Sequence, residues 1–336
     1  MNRFVRLLEG FSSSSVLVVG DLMLDEYLWG HIERISPEAP VPVLSLARRE
    51  CALGGAGNVM RNLAQLGAHV SAVGVVGLDG PGEEILELLE TIGIEGDGVV
   101  REARRKSTRK VRLMSLDHGQ QVFRLDEESP EQVWGEAEQK VKEKIELKAA
   151  EAQVIVCSDY SKGLLTKGVL GAAFAAARRE RVPVLVAPKD PNPEKYRGAT
   201  LLMPNARELA QLVGSRGEQS EWVAKAGKQL VESLALEALV VTRGREGMTL
   251  FQPGPAGVGC VDIATAARSV YDVTGAGDTA LAALALAVAG GADWELAAQL
   301  ANEAAGVVVG KRGTATVTIE EIRKQLQRED ADLPAH

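Results

Sequence analysis

The sequence predicts an α/β fold: a mostly parallel central sheet covered by helices on both faces, with a small β-sheet lid beside it. Three observations predict it. Short apolar runs rich in Val, Leu and Ile recur along the chain, as expected of strands buried on both faces. Longer helix-compatible segments alternate with them. Two segments, about 27–46 and 106–126, break that rhythm with prolines, extended-chain residues and a turn.

The first strand is read at Val16-Leu17-Val18-Val19, ending at Gly20-Asp21. Further strands are read at 70–76, 154–157, 182–186, 201–203 and 239–242. Helices are read at 56–66, 83–91, 131–150, 164–181 and 218–234. In such sheets ligands sit beyond the carboxyl ends of the strands, so the polar residues just after them matter most. These are Asp21, Asp159, Lys189, Asn205 and Arg243. The first irregular segment carries Pro37, Pro40 and Pro42. The second reads as strands at 107–115 and 121–126 joined by Leu116-Asp117-His118-Gly119. We expect both to build the lid, an ordinary surface hairpin being the alternative. No repeat or linker divides residues 1–336, so one domain is expected.

Composition narrows the class. The 336 residues are 46% hydrophobic and 25% charged, ample for one large core. Lys and Arg number 38 against 46 Asp and Glu, a formal charge of −8 with no dominant basic block. Nucleic-acid and membrane-surface roles are therefore not expected. Cys51, Cys157 and Cys260 are widely spaced, which fits a reducing cytoplasm rather than a disulfide or zinc framework. The four histidines, His31, His69, His118 and His336, show no metal or triad spacing. The N-terminal stretch is too polar for a signal peptide. The apolar run after Asp278 is broken by Gly290-Gly291 and is too short for a membrane span.

The most informative motif is Asp272-Val273-Thr274-Gly275-Ala276-Gly277-Asp278, followed directly by an apolar run from 279 to 289. It puts unpaired amides at the start of a helix, where the dipole attracts anions. A carboxylate stands beside them, able to take a proton from a hydroxyl. Together they suit phosphoryl transfer to an alcohol. A helix merely capped by Asp278 or Thr274 accounts for one of these residues but not for the spacing.

Other segments carry less information alone. Gly54-Gly55-Ala56-Gly57-Asn58 precedes a helix; its glycines allow close approach, and Asn58 offers a donor and an acceptor to hydroxyls. It lacks the spacing of a P-loop or a dinucleotide fingerprint. Asp21 and Asp25 flank an apolar triplet after the first strand and suit sugar hydroxyls, a strand-end turn being the alternative for Asp21. Asn205 and Glu208 open a helix, where they either compensate its dipole or orient a hydrated Mg²⁺. Thr242-Arg243-Gly244-Arg245-Glu246-Gly247 is a plain turn or a nucleotide edge. Ser158-Asp159-Tyr160-Ser161-Lys162-Gly163 is polar after an apolar strand and is expected to line the cleft.

In order and spacing, Gly54–Asn58, Asn205–Glu208, Thr242–Gly247 and Asp272–Asp278 resemble the ribokinase-like (PfkB) family of carbohydrate kinases, from about residue 14 to 326. That family is a three-layer α/β/α sandwich with a β lid. Four strings resemble its branch acting on D-glycero-D-manno-heptose 7-phosphate in ADP-heptose biosynthesis. They are Val18–Asp25, Arg34–Val43, Ser158–Gly163 and Ala305–Lys311. The string Arg34-Ile35-Ser36-Pro37-Glu38-Ala39-Pro40-Val41-Pro42-Val43 is the most specific.

The resemblance implies ATP and Mg²⁺ as cofactors. Asp278 would be the base for the C1 hydroxyl, with the amides of Gly275, Ala276, Gly277 and Asp278 as anion hole. Asp21, Asp25, Gly54, Gly55 and Asn58 would meet the sugar. Asn205 and Glu208 would order Mg²⁺ and phosphate. Thr242, Gly244 and Gly247 would border ATP, with Asn302 near the adenine. Asp272 and Thr274 would offer carbonyls to a monovalent cation such as K⁺. Lys110, Arg112 and Arg124 have the right sign for the sugar's own phosphate, a solvated basic face being the alternative. A homodimer through the lid is expected, since its strands need their edges covered.

Two departures stand out. The family's usual Asp-Pro-Lys reads Ala187-Pro188-Lys189-Asp190 here, which removes a carboxylate. The sequence also ends at His336 without a histidine-rich nucleotidyltransferase motif, so we expect either a single-function kinase or the kinase half of a longer protein, without the adenylyl-transfer step. A kinase of the same fold for another sugar or a nucleoside, and a non-catalytic sugar- or nucleotide-binding regulator, remain the alternatives.

Overall fold

The computed structural model describes residues 2–332 apart from 130, 216, 218–219, 268–270, 312 and 314. Glu218, at the expected start of one helix, and His336 lie outside these. The chain opens with α1 (Asn2–Gly10) and β1 (Ser15–Gly20), then a long hairpin of β2 (Leu22–Ile35) and β3 (Pro42–Gly55). Next come α2 (Ala56–Gln65), β4 (His69–Gly77), α3 (Gly80–Thr91) and β5 (Val99–Glu102). A second hairpin, β6 (Thr108–Ser115) and β7 (Gln121–Glu127), precedes α4 (Gly135–Ala149) and β8 (Val154–Ser158). Then follow α5 (Lys167–Glu180), β9 (Val184–Ala187), β10 (Leu201–Leu202), α6 (Ala206–Leu212), α7 (Ser220–Leu234) and β11 (Ala238–Thr242). Strands β12 (Met248–Gly254) and β13 (Gly257–Ile263) and helices α8 (Ala276–Ala289), α9 (Trp294–Val308) and α10 (Ile319–Asp332) close the chain.

Nine strands form the main sheet in the order β13-β12-β11-β10-β9-β8-β1-β4-β5. Pairing is parallel from β11 to β5, while β12 and β13 add antiparallel strands at one edge. The alternation of β1 explains the layering, because successive side chains point to opposite faces. Val16 and Val18 join a core with Ala56 and Val59 of α2 and Leu281 and Leu284 of α8. Leu17 and Val19 join the opposite core with Val141 of α4 and Val169 of α5. Among the described residues no helix is long and apolar enough to cross a membrane.

The second sheet has the order β3-β2-β6-β7. Its two hairpins meet through parallel β2 and β6, with Asp25 opposite Lys110 and Tyr27 opposite Arg112. Arg112 in turn lies opposite Arg124, and Lys110 opposite Asp126. Alternation therefore puts Asp25, Tyr27, Lys110, Arg112, Arg124 and Asp126 on one face. Because β3 runs straight into α2, the first hairpin reaches from Leu22 to Gly55 and ties this sheet to the main one. On the other face, Glu26 is 2% exposed and accepts hydrogen bonds from Arg49 and Arg109, each at 2.6 Å. Arg49 continues to Glu84 of α3 at 2.9 Å, so the base of the lid is anchored by charge.

Candidate active site

Helix α8 begins at a bare turn. Its N-cap, Gly275, has φ +80°, and no side chain caps the helix, so neither Thr274 nor Asp278 is a cap. Among the described residues the amides of Gly275, Gly277 and Asp278 have no hydrogen-bond partner. The expected anion hole loses one member: the amide of Ala276 donates to the Val273 carbonyl at 3.3 Å, closing the turn. A methyl group built on Gly277 would meet nothing within 4 Å. The fold itself therefore does not require glycine there. Open space over unpaired amides at a helix N-terminus fits a phosphate group.

Asp278 is in the first turn of α8, and two side chains from other segments of the chain hold its carboxylate. Asn58 of α2, 1% exposed, donates Nδ2 to Asp278 Oδ2 at 2.7 Å. The Tyr160 hydroxyl, from the loop after β8, donates to Oδ1 at 2.6 Å. Burial pushes the carboxyl up to about 6, against the lowering effect of Asn58 and Tyr160; Asp25 adds to the rise and Arg61 opposes it. Burial and the neighbouring Asp278 push the Tyr160 hydroxyl well above its usual value, which keeps it a donor. A carboxylate poised near 6 is suited to accept a proton at neutral pH.

Above this helix start lies the polar face of the lid. Asp25, 6% exposed, accepts from Arg112 Nη1 at 2.7 Å, and that guanidinium stacks 5.1 Å over the Tyr27 ring. Gly54 lets this pair form, because a Cβ there would lie 2.5 Å from Asp25 Oδ2. The basic face is not a bare cation patch. Lys110 pairs with Glu128 at 3.0 Å and with Asp126 at 3.5 Å, and Arg124 forks onto Asp126 at 2.7 and 2.5 Å. Glu128 also holds Lys162 at 2.7 Å.

Several expected contacts are redirected. Asp21, expected on the sugar, spends Oδ2 on the amides of Tyr160 and Lys162 at 2.9 and 3.1 Å, and Oδ1 on that of Leu164 at 3.1 Å. It is a clamp for the 158–164 loop, 3% exposed. Gly55 sits beside it at φ +58°, where a Cβ would meet the Asp21 carbonyl at 2.5 Å. Asn205 and Glu208 form a reciprocal capping box on α6, and Glu208 Oε1 takes Lys189 at 3.0 Å. Asn302 donates to the Ala264 carbonyl at 2.7 Å. Thr242, Gly244 and Gly247 do form the turn between β11 and β12, but Gly247 has a packing reason. A Cβ there would come 2.0 Å from the Ile263 carbonyl.

Asp272 accepts from the amides of Thr274 at 2.9 Å and Gly313 at 3.0 Å. Burial raises its pKa, but these bonds outweigh it and hold the carboxyl below its ordinary value. They fix the chain entering the α8 turn. At the departure noted in the sequence, Ala187 ends β9 and its carbonyl accepts from the Asp159 amide at 3.0 Å. The local carboxylates are instead Asp159 and Asp190, bridged by Lys195 at 2.6 and 3.4 Å, with the Tyr196 hydroxyl on Asp159 at 2.7 Å. Among the described residues no group of three His, Cys, Asp or Glu could cage a metal ion. Mg²⁺ needs few protein ligands where substrate phosphates supply oxygens.

Unpaired helix amides, a raised carboxylate among them and a polar lid define a phosphotransferase acting on a hydroxylated small molecule. The chain belongs to the pfkB family of carbohydrate kinases, whose model matches residues 13–322. It is 46% identical over 308 residues to the bifunctional protein HldE of Geobacter sulfurreducens, covering 92% of this chain and 62% of that protein. To the bifunctional protein HldE of Pelobacter propionicus it is 46% identical over 310 residues, with the same coverage of 92% and 62%. The chain thus spans less than two thirds of the length of these relatives. In fold it matches Arabidopsis thaliana ribokinase complexed with ribose and ATP, at TM-score 0.73 and 22% identity, over 94% of this chain and 99% of that one. It also matches Escherichia coli phosphofructokinase-2 in complex with potassium, at TM-score 0.78 and 20% identity, with coverage of 94% and 99%.

Proposed function

We propose that the chain transfers the terminal phosphoryl group of ATP to the C1 hydroxyl of D-glycero-D-manno-heptose 7-phosphate, giving the 1,7-bisphosphate and ADP. The observation that carries this reading is Asp278, held by Asn58 and Tyr160 beside unpaired amides of α8. The choice of sugar rests on the four heptose-kinase-like strings and on the HldE relatives.

Asp25 and Asn58 orient sugar hydroxyls, and the lid excludes water. Asp278 takes the C1 proton, the freed oxygen bonds to phosphorus, and the bond to the ADP oxygen breaks. The amides of Gly275, Gly277 and Asp278 receive the charge that builds on the transferring group. Asn205 and Glu208 would order Mg²⁺, which would neutralise charge on the nucleotide oxygens. The 7-phosphate draws Lys110, Arg112 and Arg124 from their present carboxylate partners. Thr242, Gly244, Gly247 and Asn302 border the nucleotide, and the carbonyls of Asp272 and Thr274 suit a monovalent cation such as K⁺.

The lid also supports a homodimer. Its outer face leaves Leu46, Phe123 and Leu125 at 59%, 59% and 50% exposure, next to strand edges that invite pairing.

ADP release measured with ATP and a panel of heptose 7-phosphate, fructose 6-phosphate, ribose and adenosine tests the assignment. The heptose phosphate should give the highest kcat/KM by at least about tenfold, the discrimination one good polar contact supplies. Preference for another acceptor would reassign the substrate, and no turnover with any would favour a binding protein.

A further inference from the structure

We propose that Tyr160 is the positioning residue of the Asp278 base, and that Asp21 seats Tyr160 for this task. The proposal rests on the phosphotransferase reading for its consequence in catalysis, and on geometry alone for the interaction. The Tyr160 hydroxyl is 2.6 Å from Asp278 Oδ1, while Asn58 takes the other oxygen, so the carboxylate is pinned at both ends. Its own backbone is immobilised in turn, since the Tyr160 amide donates to Asp21 Oδ2 at 2.9 Å. Asp21 also collects the amides of Lys162 and Leu164, which forces the chain after β8 to curl around one buried carboxylate. A tyrosine held there reaches a partner 118 residues later in the sequence.

This gives the Asp21 clamp a purpose that local folding does not require. A loop at a strand end is ordinarily satisfied by turns and solvent, yet here a 3% exposed carboxylate is devoted to it. Burial raises the Asp21 carboxyl above its ordinary value, the three amides oppose that rise, and nearby Asp159 adds to it. The groups facing Asp278 are Asn58 and Arg61 from α2, Tyr160 from the loop and Asp25 from the lid; Glu208 and Asp25 face Tyr160. Of the two neutral donors, only Tyr160 lies on a segment held by the Asp21 carboxylate; the start of α2, with Asn58, meets Asp21 through its carbonyl, which accepts from the Ala56 amide at 2.9 Å. Its hydroxyl stabilises the ionised base and fixes the direction in which that base meets a substrate hydroxyl.

The test compares wild type with Tyr160→Phe, which keeps the ring and removes the hydroxyl. Carboxyl ¹³C NMR, with Asp278 assigned by loss of its signal in Asp278→Asn, reads the titration of the base without any substrate. Loss of a hydrogen bond to a charged group should move that titration upward by about one pH unit. On whichever acceptor the wild type turns over, the acid limb of kcat/KM should move by the same amount and kcat should fall about tenfold or more, with sugar KM little changed. Asp21→Asn should shift both in the same direction by a smaller amount. An unchanged Asp278 titration in folded Tyr160→Phe would overturn the proposal. If the wild type phosphorylated no acceptor, the functional reading would fail while the NMR titration still decided this one.

Discussion

Asn58 and Asp278 are 220 residues apart in sequence, and the Asn58 amide donates to the Asp278 carboxylate at 2.7 Å. The bond joins the first turn of α2, at the end of the lid hairpin, to the first turn of α8. It therefore couples the segment that carries Asp25 to the helix that carries the base.

Replacing Asn58 with Ala should raise the pH at which activity appears. Asp278 must be ionised to act, and burial already holds its carboxyl at about 6, so activity is lost as pH falls through that value. Removing a donor that favours the charged form raises the value further. The acid limb of kcat/KM in Asn58→Ala should lie about one pH unit above wild type. A pH–rate profile checks this, and an unshifted limb would show that the bond does not tune the base.

Gly277→Ala should separate folding from activity. Nothing lies within 4 Å of the added methyl, and the residue is in the first turn of a helix. Thermal stability should hold or rise, by up to about 1 kcal/mol, since alanine is the better helix former. The methyl would nevertheless stand over the unpaired amides, and kcat/KM should fall about 100-fold, as a misplacement of about 1 Å costs. Melting and turnover measured on one preparation distinguish this from simple destabilisation.

How much of this was legible in the sequence depended on range. Strand and helix alternation is local, and β1, β4, β8 and β11 and helices α2 and α7 fall within two residues of the expected spans among the described residues. The hairpin at 107–126 was equally readable from its turn. Strand β5 was missed because four residues, Val99–Glu102, carry too little pattern. The α8 turn was legible because glycine spacing and the carboxylate adjoin in sequence. Tyr160 stands out in sequence only as part of a polar stretch, since its partner lies 118 residues away. Asp21 is ambiguous for a related reason: a carboxylate at a strand end looks the same in sequence whether it meets a sugar or holds three amides.

Lys110→Ala should discriminate between substrates. Lys110 is paired with Glu128 and Asp126 and only 16% exposed, so its ammonium is held toward the cleft rather than solvated freely. KM for a phosphorylated sugar should rise about tenfold, and for the dephosphorylated analogue little, because a lost charge-assisted contact acts only where a phosphate is present. Equal effects on both would remove Lys110 from phosphate recognition.

Phe123→Glu addresses the outer face of the lid. Phe123 is 59% exposed on edge strand β7, near exposed Leu125. If two lids pair there, the buried charge should convert a dimer to a monomer in sedimentation velocity at micromolar concentration. A wild type that sediments as a monomer, or a variant that remains dimeric, would place any association elsewhere.

The central claim is that Asp278 removes the proton from the acceptor hydroxyl. Single-turnover kinetics of Asp278→Asn with ATP and heptose 7-phosphate, alongside sugar binding by calorimetry, tests it most directly. The account predicts sugar affinity within about threefold of wild type and a rate of phosphoryl transfer lowered about 10²–10⁴-fold. Transfer at near wild-type rate would contradict it.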